Sequence, residues 1–144
     1  MSPPVAAVAG PGDWAEIVDL RTRVFVEEQG VPPEIEQDDR DATAVHALSR
    51  NESGRVVATG RLLLGDDGRA GIGRMATDAA ARGRGHGAAV LAELQRQAAA
   101  RGMVEIELHA QVTARRFYER AGYTAVGDVY EEAGIAHVTM VRKL

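Results

Sequence analysis

No cysteine occurs among the 144 residues, which excludes disulfides, thiolate zinc sites and a cysteine nucleophile. No apolar run approaches the ~20 residues of a membrane-spanning helix, and the N-terminus lacks a basic-then-apolar leader pattern. A cytoplasmic location without membrane contact is the expectation. Positive charge is not in excess either. The formal net charge of −4 argues against wholesale nucleic-acid binding. Repeats, linkers and low-complexity stretches are missing, as is the His/Asp/Glu spacing of a metal site, so no metal is expected. A single domain over residues 1–144 follows, long enough to build a proper core.

What the chain does have is Arg82-Gly83-Arg84-Gly85-His86-Gly87-Ala88, three glycines among basic side chains, directly before a helical pattern. Glycine tolerates φ > 0 and lets a ligand approach backbone N–H groups. The following helix adds its positive dipole end, and Arg82 and Arg84 add charges that pair with phosphate oxygens. A pyrophosphate cradle at a helix N-terminus is one reading; a surface turn that caps a helix is the other.

The rest of the chain orders itself around this loop. Pro4 to Ala9 is a short first strand. Asp13 is placed to N-cap a helix from Trp14, with Ile17, Val18, Leu20, Val24 and Phe25 at helical spacing and a stop at Gly30. Glu27 to Asp41 is strongly acidic, which predicts a solvated loop or, alternatively, a rim that attracts a cationic acceptor. Val45–Leu48, Arg55–Leu64 and Ala70–Thr77 form a three-stranded meander. The helix from Gly85 to Arg101 buries Val90, Leu91, Leu94 and Ala98 and ends at Gly102. Val104–Ala110 alternates as a half-buried strand, Val112–Ala121 is a short helix, and Tyr123–Tyr130 pairs with Ile135–Val141. The fold class is mixed α/β, with a central, mostly antiparallel sheet and one parallel pair across the glycine loop.

Gly83-x-Gly85-x-x-Ala88 also fits the dinucleotide fingerprint, with Glu105 or Glu107 as a ribose acid. Against that, Asp78 to Arg82 separate the loop from its strand, three strands precede it, and too little chain follows for a second half. A kinase-type P-loop fails because no Gly-Lys-Ser/Thr is present.

Arg82-x-x-Gly85-x-Gly87-Ala88 resembles the acyl-CoA pyrophosphate loop of the GNAT acetyltransferase superfamily. Ala114-x-x-Phe117-Tyr118-Glu119-Arg120-Ala121-Gly122-Tyr123 matches the same superfamily, with Gln111 where Asn is common. Arg23 to Pro32, Glu36 through Asp41, His46, Gly60-Arg61, Ile72-Gly73-Arg74, Ala110-Gln111 and Gly134-Ile135-x-His137 are similar to its ElaA-like branch. The resemblance implies a single GNAT domain, acetyl-CoA as co-substrate, and an amine of a small molecule or peptide as acceptor. It implies that Met75, Ala76 and Thr77 pair with the pantetheine arm like an added strand, splayed from the Val104–Ala110 strand by a bulge. The N–H groups of Gly83 to Ala88 take the pyrophosphate, with Arg82, Arg84, His86 and Gln111 on the cofactor side. An N–H near Met75 or Ala76 faces the thioester oxygen.

By family position, Tyr118 is the expected proton donor to the departing sulfur, or else a ring packed beside Phe117. Neutralising an amine of pKa ~10.4 at pH 7 costs ~4.6 kcal/mol, so a base is expected. Glu27, Glu28, His46, His109 and His137 are the candidates, with Glu28 and His46 preferred and His109 expected to alternate outward with Glu107. Gln29, Arg61, Arg74 and His137 are expected at the acceptor. Arg61 and Arg74 either grip an acceptor carboxylate or pair with the acidic stretch. A CoA-binding sensor without chemistry and an acyl-homoserine-lactone synthase are the alternatives. The C-terminal strand offers an edge for a homodimer.

Overall fold

In the computed structural model, which describes residues 3–144, the strands are β1 (Ala6–Val8), β2 (Val45–Arg50), β3 (Val56–Leu64), β4 (Arg69–Thr77), β5 (Glu105–Gln111), β6 (Thr124–Glu132) and β7 (Ile135–Lys143). They join in one seven-stranded sheet, ordered β1-β2-β3-β4-β5-β7-β6. Every neighbouring pair is antiparallel except β4–β5. A parallel pair needs a crossover, and a 15-residue helix between those strands (His86–Ala100) supplies it. The mixed α/β class and the parallel pair agree with the sequence. Among the described residues no helix is long and apolar enough to cross a membrane.

Two helical layers cover the sheet. On one side is α1 (Trp14–Arg21), where Ile17 and Leu20 are buried with Val24, Phe25, Leu48, Val56 and Ala76. A one-turn helix, α2 (Pro33–Glu36), follows it. On the other side α3 (His86–Ala100) buries Val90, Leu91, Leu94 and Ala98, and α4 (Arg115–Arg120) adds Tyr118. The first helix departs from expectation. It does not run to Gly30 as one α-helix; Thr22–Glu28 is π-helical, and the Gln29 N–H donates to the Val24 carbonyl at 3.1 Å. At the changeover the Thr22 hydroxyl donates to the Val18 carbonyl at 2.8 Å, a bond that loosens a helix. Asp13 also differs. Its carboxylate accepts from the Gly10 N–H (2.7 Å) and closes the turn before α1 instead of capping it.

One irregularity in β4 shapes the molecule. Between Thr59↔Ala76 and Arg61↔Gly73, β4 holds one residue more than β3. Arg74 sits there at φ +52°, a left-handed conformation costing a non-glycine residue about 1–2 kcal/mol. β4 stays in register with β5 only from Arg69↔Glu105 to Ile72↔Leu108. Past that point β5 keeps pairing with β7 while the two parallel strands separate.

Part of the acidic stretch is solvated as expected, with Glu27, Glu28, Glu34 and Asp39 exposed, but Glu36, Asp38 and Asp41 are not. Three arginines from α1, β3 and β4 fold these last three onto the sheet. Arg21, 1% exposed, donates to the Glu36 carboxylate (2.5 Å) and to both oxygens of Asp41 (2.8 and 3.1 Å). Arg61, 4% exposed, donates to Asp38 (2.7 and 2.9 Å) and Asp41 (2.9 Å). Arg74 reaches the carbonyls of Glu36 (2.9 Å) and Ile35 (3.2 Å) and the Asp38 carboxylate (3.3 Å). Hydrogen bonding to Arg61 pulls Asp38 down to about 2. Burial opposes the same effect at Asp41, but Arg21 and Arg61 still hold it below the usual carboxylate range.

Removing one partner of a buried pair leaves the other uncompensated. Arg21→Met should therefore lose about 3–5 kcal/mol of stability in urea unfolding. The folded pKa of Asp38 lies below its ordinary value of 3.8, so its contribution is present above that pH and drains away as pH falls toward about 2. Urea midpoints through that window should drop less in Asp38→Asn than in the parent.

Candidate active site

The parting of β4 from β5 opens a continuous cleft of about 1640 Å³. That exceeds the ~300–1,000 Å³ of a single small-ligand pocket. The glycine loop, α4, the π-helical segment, the acidic stretch and the β6–β7 turn all contribute to its lining.

The loop is shaped by two glycines with φ of +79° (Gly83) and +90° (Gly85). Gly85 is the N-cap of α3, so the first-turn N–H groups begin immediately after it and lack partners within the helix. At Gly87 the demand is for space: a Cβ there would lie 3.2 Å from the Thr77 hydroxyl and 3.6 Å from the Phe117 ring. The chain thus keeps a narrow gap between the end of β4, the start of α3 and α4. Ala81, Arg82, Gly83, Gly85, His86, Gly87 and Ala88 border the cleft, as do Met75, Ala76 and Thr77. The β4 edge facing β5 has no ladder partner past Ile72. A ligand with an extended arm and an anionic head fits this combination.

The basic side chains of the loop behave differently from expectation. Arg82 borders the cleft but grips the Glu28 carboxylate (2.6 and 2.7 Å) and donates to the Thr77 carbonyl (3.1 Å). The pair is exposed, 44% and 41%, and such pairs are worth only about 0–1 kcal/mol, so it is readily broken. Arg84 is exposed and does not line the cleft. The His86 ring is buried against β2, its Nδ1 2.7 Å from the Ser49 hydroxyl. It anchors the start of α3 and leaves only its backbone for a phosphate.

Of the expected catalytic groups, Tyr118 and Glu28 reach the cleft and His46 does not. Tyr118 is 7% exposed and packs edge-on to Phe117 and Tyr123 with centroids 5.0 and 5.9 Å away. Burial pushes its hydroxyl up to about 12, so it keeps its proton. Glu28 borders the cleft, but its hydrogen bonds from Arg82 lower its pKa, the wrong direction for a base. His46 lies outside the cleft. Its Nε2 is 2.9 Å from the Asp41 carbonyl and its ring packs edge-on to Trp14 at 4.9 Å.

On the acceptor side, Arg61 and Arg74 border the cleft with their guanidinium groups engaged by the acidic stretch. Gln29 and Gln111, expected on opposite substrates, bond to each other: the Gln111 amide donates to the Gln29 carbonyl at 2.9 Å. His137 is buried at the cleft wall, its Nδ1 2.7 Å from the Ile135 carbonyl. His109 points outward from the core as expected, yet it also borders the cleft and meets Glu132 at 3.3 Å. Glu132 and Tyr130 were not singled out by the sequence. Their signal is the pairing of β6 with β7, which sets Tyr130 opposite His137.

Residues 15–144 match the acetyltransferase (GNAT) domain family. A UPF0039 protein of Synechocystis is 32% identical over 129 residues, covering 88% of this chain and 83% of that protein. The solved structure of Escherichia coli ElaA superposes with a TM-score of 0.83 at 27% identity, covering 96% of this chain and 99% of that one. An acyl-CoA N-acyltransferase from Pseudomonas aeruginosa gives a TM-score of 0.80 at 29% identity, with 96% and 99% coverage.

A Cβ at Gly85 would be forced into the left-handed region, so Gly85→Ala should lose about 1–2 kcal/mol and weaken coenzyme A binding measured by calorimetry. Gly127, at φ +78° in β6, lies away from the cleft. Gly127→Ala should show a similar stability loss with coenzyme A affinity unchanged.

Proposed function

The chain belongs to the GNAT acetyltransferase domain family, and from that premise we propose that it transfers acetyl from acetyl-CoA directly to a primary amine of a small molecule or peptide. One observation carries the proposal: two parallel strands part at a bulge, with a left-handed glycine turn at one end of the gap and a protonated tyrosine on its wall. The size of the cleft supports simultaneous occupation by both reactants. The absence of cysteine fits transfer without a thioester on the enzyme.

In this reading the N–H groups from Gly83 to Ala88 hold the diphosphate, and Arg82 turns to it from Glu28. The unpaired edge of Met75–Thr77 takes the pantetheine arm as an extra strand, which fixes the thioester beside the cleft. An N–H near Met75 or Ala76 stabilises the oxygen as it gains charge. Tyr118 serves the sulfur. With its hydroxyl at about 12 against ~8.5 for a thiol, complete proton transfer to the thiolate is uphill by roughly 5 kcal/mol. Its role is therefore a hydrogen bond to the developing thiolate rather than a delivered proton.

A hydrogen bond to a charged group is worth about 1.5–3 kcal/mol. Tyr118→Phe should accordingly lower kcat roughly 10- to 100-fold with little change in KM for acetyl-CoA. The assay follows free thiol release over a panel of amines, with products identified by mass spectrometry. A protein that binds coenzyme A but releases no thiol with any amine is a sensor, and the proposal fails.

A further inference from the structure

Acetyl transfer to an amine needs a group to take the proton the nitrogen sheds; His46 lies outside the cleft, and the Glu28 carboxylate is bonded to Arg82 in the free protein. We propose that His137 is that proton acceptor, acting through Nε2; the assignment rests on the acetyl-transfer reading above.

His137 lies in β7 opposite Gln111, at the end of β5 that β4 has already left. It therefore stands on the wall of the gap. Its Nδ1 is 2.7 Å from the Ile135 carbonyl oxygen. A carbonyl oxygen only accepts, so Nδ1 carries the hydrogen and the neutral ring leaves Nε2 with a free lone pair. Nε2 lies 3.9 Å from a Glu132 carboxylate oxygen. That is too long for a hydrogen bond, so the lone pair stays open to the cleft. The Tyr130 ring stacks on His137 at 6.1 Å with 22° between planes, which holds the imidazole in orientation.

The titratable groups around His137 come from two neighbouring strands. Glu132 and Tyr130 belong to β6, and His109 to β5. His109 Nδ1 meets the other Glu132 oxygen at 3.3 Å and its ring meets Tyr130 edge-on at 5.8 Å. One carboxylate thus serves two imidazoles, of which His137 is buried while His109 is exposed. In the step itself, the amine nitrogen attacks the thioester carbon. The C–N bond forms, the C–S bond breaks, and the proton leaving nitrogen passes to His137 Nε2. The sulfur departs as a thiolate hydrogen-bonded by Tyr118, and His137 returns its proton to solvent.

Two measurements test this. Nitrogen-15 NMR of the free protein should show neutral His137 with hydrogen on Nδ1. With acetyl-CoA and spermidine, tyramine or a lysine-containing peptide as probe, kcat/KM should show an acid limb, falling as the pH is lowered. His137→Gln should abolish it and lower kcat about 10²- to 10⁴-fold, with calorimetric binding of coenzyme A unchanged as the folding control. A hydrogen on Nε2 in the neutral ring, or a His137→Gln enzyme that keeps both limb and turnover, overturns the assignment and leaves acetyl transfer intact. Thiol release with none of the probes removes the transfer reading and this assignment with it.

Discussion

The cleft exists because β4 contains one residue too many. The extra residue shifts the alternation of side chains, so Ala70 and Ile72 pack under α3 whereas Ala76 packs under α1. It also forces Arg74 into a left-handed conformation, which is unfavourable for a residue with a Cβ. What offsets the strain is the fixed position of the Arg74 side chain, bonded to two carbonyls and a carboxylate of the acidic stretch. Backbone irregularities that persist at this cost are held by their surroundings and cluster at functional sites. Here the surroundings are the acidic stretch, whose Glu36 and Asp38 also border the cleft.

Charge is distributed in the cleft according to depth. Arg21 and Arg61 are buried and Arg74 is half-buried, and all three are held by Glu36, Asp38 and Asp41, so they act as fasteners. Arg82 and Glu28 sit at the mouth, where water screens their attraction and exchange costs little. The β5–β6–β7 corner holds the remaining acid–imidazole group. A single guanidinium chemistry therefore performs two tasks, and solvent access decides which. Arg61 even leaves its Nε without a partner, the one such buried side-chain atom among the described residues.

Much of this was legible from local pattern. The strand order within the meander, the burial face of α3, and the glycine stops at Gly102 and Gly122 all depend on residues near one another in sequence. The bulge and the parting strands were anticipated from family likeness, though nothing in the residues themselves marks Arg74 as left-handed. What could not be read was set by distant partners. His46 and His137 look alike in sequence, each a lone histidine in a strand. Trp14 and the Asp41 carbonyl remove the first from the cleft, whereas strand pairing places the second on its wall. The acidic stretch reads as solvated until three arginines, up to nearly 40 positions away, are seen to close on it. His86 likewise belongs to the loop in sequence and to Ser49 in space.

The π-helical turn between Thr22 and Glu28 carries its own evolutionary implication. Such a turn is equivalent to an α-helix with one inserted residue. Excising one residue there would restore regular winding and leave the downstream side chains close to their places, because the widened turn takes up the extra residue locally. The segment that carries Glu28 and Gln29 can thus change in length by one residue without displacing the Glu28–Arg82 ion pair that ties it to the glycine loop.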